Sequence, residues 1–124
     1  MEPVETTRMG EIAIAFGFLA AFGVLAAALA VEPAALLLAG FWTAAAGLAF
    51  GVPTGLLYHV ALRRSLRAVD ALPERWWWSP TSLHGGIPAA DRRWVLGLCY
   101  AGALGFLVTV FGCALVALAA YRGI

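Results

Sequence analysis

Three long stretches of this chain carry no formal charge: none lies between Glu11 and Glu32, between Glu32 and Arg63, or between Arg93 and Arg122. A helix of about 20 apolar residues, rising ~1.5 Å per residue, covers the ~30 Å hydrocarbon core of a bilayer. A helix also satisfies its own backbone hydrogen bonds, which lipid cannot do. Composition agrees, because 63% of the 124 residues are hydrophobic and 12% are charged. That charged share is about half the soluble norm, so a water-soluble globule has no way to cover the apolar surface. The sequence therefore reads as one all-α integral membrane domain with three transmembrane helices. A net charge of +1 gives no electrostatic case for nucleic acid.

The expected boundaries are a polar leader over 1–11, spans over 12–31, 34–62 and 94–121, and a cytoplasmic or interfacial loop over 63–93. A signal peptide is the rival reading of the first run. The leader, however, sets Glu2, Glu5 and Glu11 against Arg8 alone, where a signal peptide needs a basic start. The first two spans are joined only by Val31-Glu32-Pro33, so they are antiparallel neighbours, with Pro33 suited to open the second helix. The second run exceeds a perpendicular crossing and is expected either to tilt or to project into the headgroup region. Pro53 within it is expected to kink it.

Orientation follows from arginine. The leader and the long loop share one side and hold seven of the eight basic residues, all Arg, whereas Arg122 stands alone on the other. The positive-inside effect then puts the N-terminus and loop in the cytoplasm, in what is expected to be a bacterial inner membrane.

In the loop, Leu62, Leu66, Val69 and Leu72 keep helical spacing, so the second helix is expected to continue outward until Pro73 stops it. Trp76, Trp77 and Trp78, beside Glu74 and Arg75, suit a segment lying at the membrane surface. Trp94 and Tyr121 bracket the third span as interfacial aromatics. Arg63, Arg64 and Arg67 fit orientation or attraction to anionic lipid. Gly85, Gly86 and Pro88 mark turns, and Asp91 is the expected N-cap of the last helix.

The most specific pattern is small residues every fourth position. Gly40, Ala44, Gly47, Gly51 and Gly55 form one stripe in the second span; Gly97, Ala101, Gly105, Thr109 and Cys113 form another in the third. Ala13, Gly17 and Ala21 give the first span a weaker version. Such stripes let helix backbones approach closely in lipid. They pack the spans on one another or dock them on other transmembrane subunits or on copies of this chain.

Candidate chemistry is sparse. His59, beside Tyr58 at the loop end of the second span, is the one candidate cofactor ligand, for haem b or as part of a quinone pocket; its plainer role is an interfacial hydrogen bond. Cys99 and Cys113 lie about 21 Å apart along a helix, too far to bridge, and read as small packing residues. His84, Asp91, His59 and Cys99 show no metal-ligand spacing, so no metal site is expected, and no nucleophile or phosphate-loop signature is present. The function expected is a small non-catalytic accessory or assembly subunit of a larger membrane complex. The alternatives are a haem- or quinone-associated anchor of a redox complex and a small homo-oligomeric pore or transporter.

Overall fold

The computed structural model describes the backbone of residues 3–123 and the side chains of residues 9–123. These residues form three long helices and one short one: α1 (Pro3–Ala28), α2 (Pro33–Ala68), a 3-10 helix (Pro80–Gly86) and α3 (Ala89–Tyr121). Each of the three long helices contains a stretch long and apolar enough to cross a membrane. No strand occurs among the described residues.

The helices outrun the expected spans. α1 takes in most of the polar leader, starting on Pro3 at a position where the missing N–H of proline costs nothing; Met1 and Glu2 lie outside the described residues. It ends at Ala28 rather than Val31, as Leu29, Ala30 and Val31 tighten into turns bonded to the carbonyls of Ala26, Ala27 and Ala28. α2 runs unbroken past Pro53 to Ala68, so Arg63, Arg64 and Arg67 belong to the helix and not to the loop. At ~1.5 Å per residue its 36 residues extend about 54 Å, well beyond a bilayer core.

Pro73 is not what stops α2. Asp70 takes φ 52°, its N–H bonds the Arg67 carbonyl, and the Ala71 N–H bonds the Leu66 carbonyl. That pair of bonds is the Schellman motif, with Asp in the left-handed position that usually falls to Gly or Asn. The connection to α3 thus shrinks to residues 69–88, partly filled by the 3-10 helix. α3 starts at Ala89, five residues before the expected Trp94.

α2 and α3 pack along their length, while α1 stands apart. Of the apolar span in α1 only 6% is buried, against 22% in α3, so α1 contributes little to the core. Two buried clusters close the ends of the bundle. Tyr58, Leu62, Leu66, Ile87 and Val95 gather at the loop end. Ala28, Leu36, Leu115 and Ala119 gather at the opposite end, the one place where α1 joins.

Candidate functional site

The α2–α3 seam is antiparallel, and each residue advanced on α2 is matched by one retreated on α3. Gly40 lies opposite Gly112, Leu115 and Val116, Ala44 opposite Gly112, Gly47 opposite Thr109, Gly51 opposite Gly105 and Gly55 opposite Gly102. Ser65 continues the register to Asp91. The contact is backbone on backbone. A Cβ on Gly40 would come within 2.8 Å of the Gly112 carbonyl oxygen, and one on Gly51 within 3.1 Å of the Gly105 backbone. Only glycine permits that approach without displacing a helix. Thr109 spends its hydroxyl on the Gly105 carbonyl at 2.9 Å, which lets it sit in the seam without an unpaired polar group.

The seam uses part of each expected stripe. On α2 the contacts step through 40, 44, 47, 51, 54 or 55, and 58, alternating between four residues and three, the heptad rhythm of a left-handed pair. On α3 they step through 102, 105, 109, 112 and 116 in the same rhythm. A strict four-residue spacing drifts about 40° per step around a helix of 3.6 residues per turn. Gly97 and Cys113, at the two ends of the α3 stripe, are therefore exposed, and nothing stands within 4 Å of a Cβ on Gly97. Gly97 is not an interface residue of this bundle. Ala101 is half-buried beside Gly102 and Gly105, which carry the seam. Gly55 lies in the seam through its backbone, although its own Cβ direction is open. In α1, Gly17 is exposed with open space around it.

At the loop end, three polar bonds join α2, the connection and α3, and a fourth lies within α2. Tyr58 Oη and His84 Nε2 lie 2.7 Å apart, so a residue of α2 holds the 3-10 helix. Buried Ser65 donates to Asp91 Oδ2 at 2.7 Å, joining α2 to the first turn of α3. Asp91 does not cap α3: Pro88 occupies that position, and its carbonyl receives the N–H groups of Asp91 and Arg92. Arg92 in turn donates to the Ile87 carbonyl at 3.2 Å. The last bond, from His59 Nδ1 to the Gly55 carbonyl at 2.8 Å, makes Nδ1 the donor and Nε2 the lone-pair nitrogen. A metal-ligating histidine requires that tautomer, and a purely structural histidine reaches it equally well.

The tryptophans divide. Trp76 is half-buried against the loop-end cluster, 6.1 Å from the His59 ring. Trp77 and Trp78 stack on each other at 5.1 Å and stay exposed. Trp94 is also exposed. Cys99 packs against the loop-end cluster, whereas Cys113 faces outward and is not a packing residue of this bundle.

Arg122 carries a role that the sequence did not signal. Its guanidinium donates to the carbonyls of Ala28 at 3.2 Å and Val31 at 2.5 Å. The Ala28 carbonyl already accepts the Val31 N–H, so Arg122 is its second donor, and at the end of α1 a cation also faces the negative pole of the helix. Above this tie α1 diverges from the pair and leaves an open groove of about 530 Å³, lined by Gly17 and Phe18 of α1, Thr43 of α2, and Leu107 and Phe111 of α3. No protein-family model matches the chain, and searches of curated proteins and of solved structures found no match either.

Proposed function

We propose that this protein is a small non-catalytic subunit of a larger membrane complex, with the α2–α3 pair as its rigid part and α1 as the helix that engages a transmembrane partner. The observation that carries this reading is the contrast in burial. α2 and α3 consume their small-residue faces on each other, while the apolar surface of α1, including Phe16, Phe18, Leu19 and Phe22, stays open. Helix association in lipid draws on close packing, and α1 has little of it within its own chain. The groove beside α1, where Gly17, Ala21 and Thr43 lie among larger apolar side chains, is open apolar space against which a further helix can pack.

The same reading places the N-terminus and the 69–88 connection in the cytoplasm of a bacterial inner membrane, on the strength of the arginine asymmetry. A photo-crosslinking residue at Phe18 is expected to give one discrete adduct with another membrane protein, and the same residue at Leu104, on the exposed face of α3, none. Adducts of equal yield at both positions, or a monomer alone after mild detergent extraction with no adduct at either, would overturn it. The His59 tautomer is compatible with a redox-anchor role and with a structural one alike; a Soret band in the purified complex that His59→Ala abolishes would favour the redox role instead.

A further inference from the structure

Next to the α2–α3 seam at the loop end lie two depressions that share Val60, Arg64 and Ala68. The larger, about 490 Å³, has mostly apolar walls: Leu57, Val60 and Ala61 from α2, Trp94 and Leu98 from α3. The smaller, about 410 Å³, adds Arg63 and Arg67. Both sizes fall within the range of small-molecule sites. Spacing explains the arrangement, since Leu57, Val60, Ala61 and Arg64 recur at three and four residues along one face of α2, as Trp94 and Leu98 do on α3. The groove thus runs beside the seam, apolar towards the middle of the helices and cationic where α2 extends past the bilayer length.

Three guanidinium groups meet one carboxylate here. Among the described residues Asp91 is the only acid lining either depression, and Ser65 already donates to it at 2.7 Å. The local charge is positive, and guanidinium forks match phosphate oxygens in geometry. A ligand with a singly charged phosphate joined to hydrocarbon chains complements both parts at once.

We propose that this composite groove is a binding site for an anionic glycerophospholipid, with the phosphate on Arg64 and its neighbours Arg63 and Arg67 and one acyl chain lying between α2 and α3 over Val60 and Leu98. The proposal rests on the membrane-spanning reading and is independent of the accessory role. Its consequence is that the lipid, held by its phosphate on α2, bridges to the start of α3 through its acyl chain against Trp94 and Leu98, alongside the Ser65–Asp91 bond.

The test is native mass spectrometry of the purified full chain in micelles containing equal dioleoylphosphatidylglycerol and dioleoylphosphatidylcholine. Phosphatidylglycerol adducts are expected to predominate. Arg64→Gln is expected to cut that preference about fivefold, the scale of one basic residue at a membrane surface, and Arg63→Gln/Arg64→Gln/Arg67→Gln to remove it. Arg64→Lys is expected to retain most of it, and Arg75→Gln, outside the groove, all of it. Val60→Trp, which fills the apolar part, is expected to reduce adducts of both lipids while helicity by circular dichroism is unchanged. Equal retention of the two lipids, a loss with Arg75→Gln as large as with Arg64→Gln, or displacement of the lipid by inorganic phosphate would each overturn the site. Release of the chain from membranes by alkaline carbonate would instead bring down the membrane-spanning reading beneath it; retention in the pellet with no lipid preference brings down the lipid site alone.

Discussion

The α2–α3 seam and the attachment of α1 solve the same problem, joining two apolar helices, by opposite means. In the seam, glycine removes side chains so that backbones touch from Gly40, opposite Gly112, to Gly51, opposite Gly105, and beyond. Affinity there comes from many weak contacts, each lost steeply with distance. α1 has glycines too, at Gly17 and Gly23, but a Cβ on either would meet no neighbouring helix within 4 Å. It is held at one end by Leu25, Ala28 and the Arg122 bonds. Small residues therefore do not by themselves make an interface; they do so only where the opposite helix presents small residues in the matching register.

The sharpest way to break this contrast is to place the same large side chain in both settings. Gly112→Leu drives a side chain into the backbone of Ala44 and is expected to cost about 3 kcal/mol or more, at or above the top of the usual overpacking range. Gly17→Leu, in open space, is expected to stay within about 0.5 kcal/mol. Unfolding of both variants by sodium dodecyl sulfate titration in mixed micelles measures the difference, and equal losses would refute the asymmetry.

Smaller effects sharpen it at the loop end. Asp91→Ala leaves the buried Ser65 hydroxyl without its acceptor and is expected to lose about 1–2 kcal/mol, whereas Ser65→Ala/Asp91→Ala together should cost less than the sum of the single changes. A double-mutant cycle by the same titration reads that coupling. Tyr58→Phe removes the hydroxyl facing His84 at a cost of about 1 kcal/mol, and it is expected to speed proteolysis within Pro80–Gly86 while leaving the seam untouched.

The smallest change in stability is expected from Arg122→Ala, about 1 kcal/mol or less for an exposed charged tie to a helix end. Its effect falls on position. Spin labels on α1 and α3 should show a broader distance distribution in the variant, whereas labels across the α2–α3 seam should not.

Much of this arrangement was legible in the residues themselves. Charge-free runs between Glu11, Glu32, Arg63, Arg93 and Arg122 marked three helices because no other secondary structure satisfies so long an apolar backbone without a partner strand. Gly40, Ala44, Gly47 and Gly51 were legible as a packing face, and Gly105 and Thr109 as its counterpart. Gly102 and Gly112 were hidden by a four-residue ruler laid on a helix whose paired form repeats on alternating steps of three and four; that alternation was present in Gly102, Gly105, Thr109 and Gly112 and would have found them. Asp91 illustrates a different limit. Its composition suits a cap, but Pro88 stood closer to the start of the helix, and the partner it took, Ser65, lies 26 residues away. Arg122 is more distant still from its acceptors. A bond between such separated groups follows from the register of the whole bundle, which no local pattern encodes.

The Arg122 tie also imposes an order in time. Its acceptors, the carbonyls of Ala28 and Val31, precede it by 94 and 91 residues. A ribosome adds roughly 5–20 residues per second, so α1 is complete for at least several seconds before the group that fastens its end is made. During that interval α2 has no α3 to pack against and α1 has no clasp. Under the proposed accessory role, a partner helix arriving in that interval would meet α1 with nothing to displace, and the clasp would close afterwards.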